Sequence, residues 1–511
     1  MTFCSSLWLF TRANRGSYLY HPDEPEKTFQ IYRNYRNHRH PQLLLEVSQS
    51  AARVFQTPAE PQATVVVGRN VAAVFAASAV TVLTLLGFVL GGFTGAVAAA
   101  VLVGTSPFLL VNAHYMKEDT ALVMGLAMVT LALVQLARLK TPARRFCAAG
   151  LLGFSCAVAA SGKYVGLLAL VPAVTMIVAP RPRLGRETWA RLGVFTLCFA
   201  LLLLAINHRL VFELATFTSA MKYHGATPLL GHGGTKMAWP SGYYPRVIHQ
   251  LAGAHVELLA LAAAAVLLTV PRRKSLPHAI PILLALACAA LLLLCRSAFP
   301  RYALPAIVLL TAAAALGIAW TAQLWPARWR CREAWALALV AVCWSIQWRA
   351  CTSYIGQLRD DSRDRLRAWM ATNLPPTARV AADTYAGRFW AFGGEQALTV
   401  WPGVRVHAAP SAADLGALSA LRAEGFTHVA VSAAAYDRYF DPHLRPLPQA
   451  QRDFARRRAW YQELFHGAEL VWRSDPERDT MAYTNPPLRL YRLRKIAHES
   501  HESARREASA N

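Results

Sequence analysis

Between residues 67 and 349 the sequence returns ten times to one pattern, an apolar run closed by a short polar or basic break. The runs fall at about 67–90, 93–113, 120–138, 146–162, 163–180, 190–207, 251–270, 278–295, 302–322 and 334–349. Most lie near the ~20 residues that carry a helix across a hydrocarbon core. A soluble chain of 511 residues would struggle to stay in solution with 55% hydrophobic and 16% charged residues. The expected fold class is an α-helical polytopic membrane protein of about ten spans, with a small α/β domain at the C-terminal end.

The formal charge of +24, from 53 Lys plus Arg against 29 Asp plus Glu, would suggest a nucleic-acid partner in a soluble protein. Here many of the cations sit in clusters between apolar runs, which is the positive-inside pattern and argues for no nucleic acid. Arg138, Lys140, Arg144 and Arg145 form one such linker, and Arg181, Arg183, Arg186 and Arg191 a second. Arg272, Arg273 and Lys274 form a third, and Arg328, Arg330 and Arg332 a fourth. All four reach the cytoplasmic side only if residues 146–180 cross twice, with a break at Ser161-Gly162-Lys163.

That alternation puts residues 1–65, the turn "NAHYMKEDT" at 112–120, the loop 208–250 and everything after about 350 on the outer face. An external amino-terminal segment needs a span upstream, and "FCSSLWLF" at 3–10 is too short to be one, so a first span is expected to be missing or truncated. The domains expected are an outer loop with an acidic motif (1–65), a transmembrane helical domain (66–350), an extracytoplasmic α/β domain (351–496) and a disordered tail (497–511). In the α/β domain, "SRDRLRAWMATNLPPTARVAADTY" reads as an amphipathic helix, a Pro-Pro stop and a strand at Arg379 to Ala382. "SAADLGALSALRAEGFTHVAVSA" repeats that order, and "AELVWRS" and "LRLYRL" read as further strands. The nine cysteines form neither a disulfide framework nor a CxxC metal pair.

Three groups of residues carry chemistry. In "HPDEPEK", Asp23 and Glu24 lie between prolines that exclude a regular helix, so in an extended segment their side chains are expected to point opposite ways, one to a substrate and one to anchor the loop. A solvated acidic turn is the plainer alternative. In "HYMKEDT", Glu118 and Asp119 open an apolar helix, where helix-dipole complementation would explain them, but His114, Lys117, Glu118 and Asp119 crowd into six residues. Lys163-Tyr164 interrupts an apolar stretch, and Arg296 and Arg301-Tyr302 lie at the outer mouth of a span. Snorkelling to lipid headgroups would explain these cations, but their place on the outer face favours a specific anion such as phosphate.

Carboxylates and cations on one membrane face suit transfer of a sugar from a lipid phosphate. A carboxylate takes the proton of an acceptor hydroxyl, and a Lys or Arg stabilises the departing phosphate, so that a single displacement inverts the anomeric centre. A multi-span transporter or flippase for a lipid-linked or small anionic solute is the competing class. It would place ionisable groups near the midplane of broken helices, whereas these gather at the ends of spans.

The ordered set "HPDEP", "HPQLLLEV", "SPFLLVNAHYMKEDTAL", "SGKYVGLL", "FPRYALPAIVLL" and "SRDRLRAWMATNLPPTARV" resembles the GT-C class of polyprenyl-phosphate-sugar glycosyltransferases. The likeness is to the family 39-like branch with protein O-mannosyltransferases and lipid A aminoarabinose transferases. It implies a hexosyl- or pentosyltransferase of the bacterial inner membrane, multi-pass, with its C-terminal domain periplasmic. The partners implied are a polyprenyl-phosphate sugar donor, a lipid, glycan or protein acceptor, and membrane lipids. Carried over, Asp23 is the base, Glu24 its neighbour in the motif and Asp119 the second-loop acid, supported by His114, Lys117 and Glu118. Lys163, Arg301 and Tyr302 contact the donor phosphate. Some members of the class use a divalent metal at the two acidic sites and others do not; with a metal, Mg or Mn, Asp23 and Asp119 together with a phosphate oxygen would be the ligands, and the sequence leaves both alternatives open. Gln42 stands where the family's His-Pro-Pro-Leu segment has its second proline.

Overall fold

The structure is a computed structural model describing residues 1–16, 21–179, 185–224, 230–238, 240–269, 276–325, 331–386, 404–474 and 484–493. The tail expected at 497–511 and the basic residues Arg181, Arg183, Arg272, Arg273, Lys274, Arg328 and Arg330 lie outside them. The chain forms two compact units, Met1–Arg359 and Asp360–Asn511.

The first unit is helical, and six described helices are long and apolar enough to cross a membrane. Helix Pro61–Gly104 holds two of the ten apolar runs. It breaks at Gly92, whose φ of 67° and ψ of −156° suit a residue without a Cβ. Gly87 and Gly95, on either side of the break, abut backbone to backbone, and a Cβ on Gly87 would come 3.0 Å from that of Ala99. Stretches 61–91 and 93–104 therefore fold back on one another as a hairpin. Helices Asp119–Arg138 and Pro142–Gly162 pack in the same close way, with Gly125 against Ala159. Small residues let backbones approach where lipid offers no hydrophobic drive between helices.

The break expected at Gly162 is present: Lys163 is extended (φ −156°, ψ 140°), and a 3-10 turn, Tyr164–Ala169, leads into helix Leu170–Val178. Helices Gly242–Ala252 and Ala254–Thr269 meet at 102°, with Gly253 at φ 84° between them.

The two ends of the bundle differ. At one, Trp320 Nε1 donates to Leu90 O at 3.0 Å, Gln323 to Gly91 O at 3.2 Å, and Arg138 to Val89 O. The other holds the first loop, the 112–120 turn, Asn207 and residues 295–303. Asn207 donates to Ser161 Oγ at 2.7 Å and accepts the Gln42 N–H at 3.1 Å. The ten-residue helix Thr2–Thr11 ends here, its Arg12 carbonyl 2.6 Å from His114 Nε2.

The second unit is a five-stranded mixed sheet in the order Arg405–Ala409, Arg379–Asp383, His428–Ser432, Leu488–Arg492, Glu469–Ser474. The first three are parallel and the last two pair antiparallel. Alternation sorts the side chains between the faces. Val380, Ala382 and Ala430 pack with Leu366 and Met370 of helix Ser362–Asn373. Ala381, Val429 and Val431 pack with Tyr461 and Leu464 of helix Gln451–Gly467. The helix at 362 starts where Asp361 accepts the Arg363 N–H at 2.9 Å, the N-cap contact that Asp favours.

Candidate active site

The HPDE stretch is a turn running into a helix. Glu24 N–H donates to His21 O at 3.1 Å, and Lys27 N–H donates to Asp23 O at 3.3 Å. Helix Glu24–Tyr32 carries Pro25 in its first turn. The expectation that the prolines keep this segment out of a regular helix is thus corrected: in a first turn the missing N–H of proline has no intrahelical partner to lose. The two carboxylates still diverge, but because they lie on different sides of a helix start.

Glu24 is sealed inside. Its carboxylate accepts from Arg69 Nε at 2.8 Å and Nη2 at 2.6 Å, and Oε1 also takes the Met116 N–H at 3.0 Å. This bidentate pair, with both side chains buried, ties the first loop to helix Pro61–Gly104 and to the 112–120 turn. Asp23 differs: its side chain is 36% exposed, at the open rim of the cluster. Its Oδ2 is in direct contact with Lys117 Nζ and lies 3.9 Å from Arg301 Nη2.

Glu118 and Asp119 stand at the start of helix Asp119–Arg138, but Glu118, at the N-cap position, makes no side-chain capping bond. Asp119 Oδ1 accepts from Lys163 Nζ at 2.5 Å, while Asp119 Oδ2 is buried with no hydrogen-bond partner among the described residues. Glu118 is surrounded by Lys27 at 2.5 Å, His40 Nδ1 at 3.0 Å and Lys117 at 3.1 Å. The Lys163 ammonium also lies 4.8 Å from the centre of the Tyr302 ring, and the Arg301 guanidinium is 4.5 Å from that of Phe299 and 5.8 Å from that of Tyr302.

Burial disfavours every charge here, and the pairs decide the outcome. For Asp23, the Lys117 and Arg301 cations outweigh desolvation and hold the carboxyl well below its usual range. For Glu118, the Lys117 and Lys27 ammonium groups do the same. Burial lowers Lys117, but Asp23 and Glu118 outweigh it and hold the ammonium charged above its ordinary value. Burial wins at His21 and His40, which are both lowered well below 6.5 and stand neutral. His21 Nδ1 accepts the Asp23 N–H at 3.2 Å, which puts the ring proton on Nε2.

The structure brings together Asp23, Lys117, Glu118, Asp119, Lys163, Arg301 and Tyr302, with Glu24 behind them. His114 stands apart, its ring nitrogens 2.7 Å from Leu110 O and 2.6 Å from Arg12 O. Sequence reasoning missed Lys27, His40, His21 and Arg69. Lys27 had a signal, since a lysine one helical turn after Asp23 shares its face; Arg69, inside an apolar run, could have been flagged as a charge in need of a partner. Beside the cluster, Met237 N–H donates to Arg296 O at 2.9 Å and Tyr244 to Ser297 O at 2.6 Å, which fastens part of the 208–250 loop to the segment bearing Arg301.

The donor set does not fit a divalent cation. Asp23 and Asp119 each hold a lysine ammonium, and Lys27 and Lys117 flank Glu118, so an added cation would face like charges in a buried site. One unpartnered oxygen on Asp119 does not supply the several oxygen ligands such an ion takes.

No protein-family profile matches the chain, and no curated protein matches it in sequence. Solved structures do match in shape. ArnT from Cupriavidus metallidurans, bound to undecaprenyl phosphate, aligns with a TM-score of 0.52 at 14% identity, over 97% of this chain and 98% of that one. The apo state of the same protein gives 0.51 at 14% identity, over 96% and 97%. At that identity the likeness is one of fold: over nearly its whole length the chain shares the polytopic helical architecture of that protein.

Proposed function

We propose that the chain is a membrane glycosyltransferase that moves a sugar from a polyprenyl-phosphate donor to an acceptor hydroxyl, with inversion, on the extracytoplasmic face of a bacterial inner membrane. The observation that carries this reading is the approach of Asp23 and Arg301, 278 positions apart in the sequence, to 3.9 Å at one end of the bundle, beside Lys163 and Tyr302. A base and phosphate-binding cations on a single rim are what a single displacement requires. The neighbour in fold whose structure holds undecaprenyl phosphate supports a lipid-phosphate donor. The cluster lies at the end of the bundle opposite Arg138, the first of the basic linkers, which supports an outward-facing site.

In the reaction, Asp23 takes the proton of the acceptor hydroxyl as its oxygen bonds to the anomeric carbon. The bond from that carbon to the phosphate oxygen breaks, and its electron pair stays on the phosphate, where Lys163 and Arg301 offset the added charge. Tyr302 holds Lys163 in place through its ring. Glu24, paired with Arg69, fixes the backbone from which Asp23 projects.

The test is a transfer assay in proteoliposomes with a panel of synthetic polyprenyl-phosphate sugars. Wild type should transfer at least one of them, and Asp23→Asn and Arg301→Ala should each lose 100-fold or more. Full turnover by both variants would sink the assignment.

A further inference from the structure

Two cations meet on one oxygen of Asp23. Lys117 Nζ contacts Oδ2, and Arg301 Nη2 is 3.9 Å from the same atom. The other three carboxylates are at most 2% exposed and have settled partners: Arg69 on Glu24, Lys163 on Asp119, and Lys27 with His40 on Glu118. Asp23 alone of the four stands at the open side. Its oxygen, between an ammonium and a guanidinium, sits where an oxygen of a bound phosphate would sit. The charges point the same way. Lys27, Arg69, Lys117, Lys163 and Arg301 face Asp23, Glu24, Glu118 and Asp119, which leaves one positive charge in excess among the described residues.

We propose that in the donor-free site the Asp23 carboxylate occupies the anion position between Lys117 and Arg301, that the donor phosphate takes this position when it binds, and that Lys117 is a ligand of that phosphate. The inference rests on the proposed function only in taking the donor to present a phosphate. Lys117 keeps its place when Asp23 leaves, because Glu118 Oε1 holds it from behind at 3.1 Å. A displaced Asp23 loses the two cations that make it a poor proton acceptor, so it becomes competent only once donor is bound, and donor binds before acceptor. The carboxylate thus guards the site against idle chemistry and competes with the substrate it serves.

The experiment is equilibrium binding of undecaprenyl phosphate to the full chain in nanodiscs, with inorganic phosphate as competitor. Asp23→Asn removes the resident anion at almost constant shape and should bind undecaprenyl phosphate about tenfold more tightly than wild type. Lys117→Met should bind it about tenfold more weakly, and Lys117→Arg close to wild type. Inorganic phosphate should compete better in Asp23→Asn than in wild type, which separates phosphate recognition from capture of the lipid tail. Asp23→Ser gives the same reading if Asp23→Asn does not fold. Affinity in Asp23→Asn equal to or below wild type overturns the proposal, as does binding by Lys117→Met at full strength. Sugar transfer by wild type without the gain in Asp23→Asn rejects the competition alone. The gain without any transfer by wild type rejects the enzyme and leaves the competition standing.

Discussion

Lys163 Nζ and Asp119 Oδ1, 44 residues apart, meet at 2.5 Å, and the second oxygen of Asp119 is buried without a hydrogen-bond partner among the described residues. The pair bridges the start of helix Asp119–Arg138 and the break after Gly162, so it fixes the distance between two spans as well as the charge between them.

Removing one partner leaves a buried charge exposed to its full desolvation cost, about 3–5 kcal/mol. Lys163→Met should therefore destabilise the chain by an amount in that range, and Lys163→Met with Asp119→Asn should recover most of it. Thermal unfolding of the two variants in detergent checks this. Transfer activity should stay at least 100-fold down in both, because neither restores the Lys163 ammonium that faces the donor phosphate.

Glu24 and Arg69 separate support from chemistry. Glu24→Gln keeps the shape but takes the charge from a bidentate buried pair, and about 2–4 kcal/mol of stability should go with it. Hydrogen exchange should show protection lost first at the Met116 amide, which donates to Glu24. Unchanged stability with lost turnover would instead make Glu24 a group acting on substrate.

The second unit carries a pH response of its own. Burial pushes the Asp383 carboxyl from 3.8 up to about 7, against the Ser432 and Ala412 N–H groups and the Tyr461 hydroxyl that donate to it. The folded chain holds this proton where the unfolded chain has released it, so the contribution is fully present below about pH 4 and is lost as pH rises to about 7. Amide protection in strands Arg379–Asp383 and His428–Ser432, taken relative to the intrinsic exchange rate at each pH, should fall across that window and level off above it. Tyr461→Phe, which removes one donor to the ionised form, should carry the loss to higher pH.

Gly125 tests the packing of the spans. A Cβ there would fall 2.8 Å from the Ala159 Cβ and closer still to the Ala159 backbone, which cannot swing away. Gly125→Val should cost about 1–3 kcal/mol as an overpacked contact, read as a lower melting temperature. Gly193→Ala, where an added Cβ meets nothing within 4 Å, should leave it unchanged.

Much of the fold was legible because a bilayer leaves few choices. The helical, membrane-spanning character, the separation of the runs 67–90 and 93–113 and the break after Gly162 follow from length and hydropathy, whereas the expected ten spans stand against six described helices long and apolar enough to cross. Strands at 379, 469 and 488 were visible from alternation. What sequence reasoning got wrong at Glu24–Tyr32 was local: it weighed the prolines as helix breakers without asking whether Pro25 fell in a first turn, where it is harmless.

The sequence by itself determined that the chain is helical and membrane-spanning, and which residues near span ends carry charge, since hydropathy and charge are properties of residues taken one at a time. Only the tertiary structure decided how those charges pair: Glu24 with Arg69, Asp119 with Lys163, Asp23 with Lys117 and Arg301. Pairing depends on distances between segments tens to hundreds of residues apart, and Coulomb energy in a buried site changes steeply with those distances.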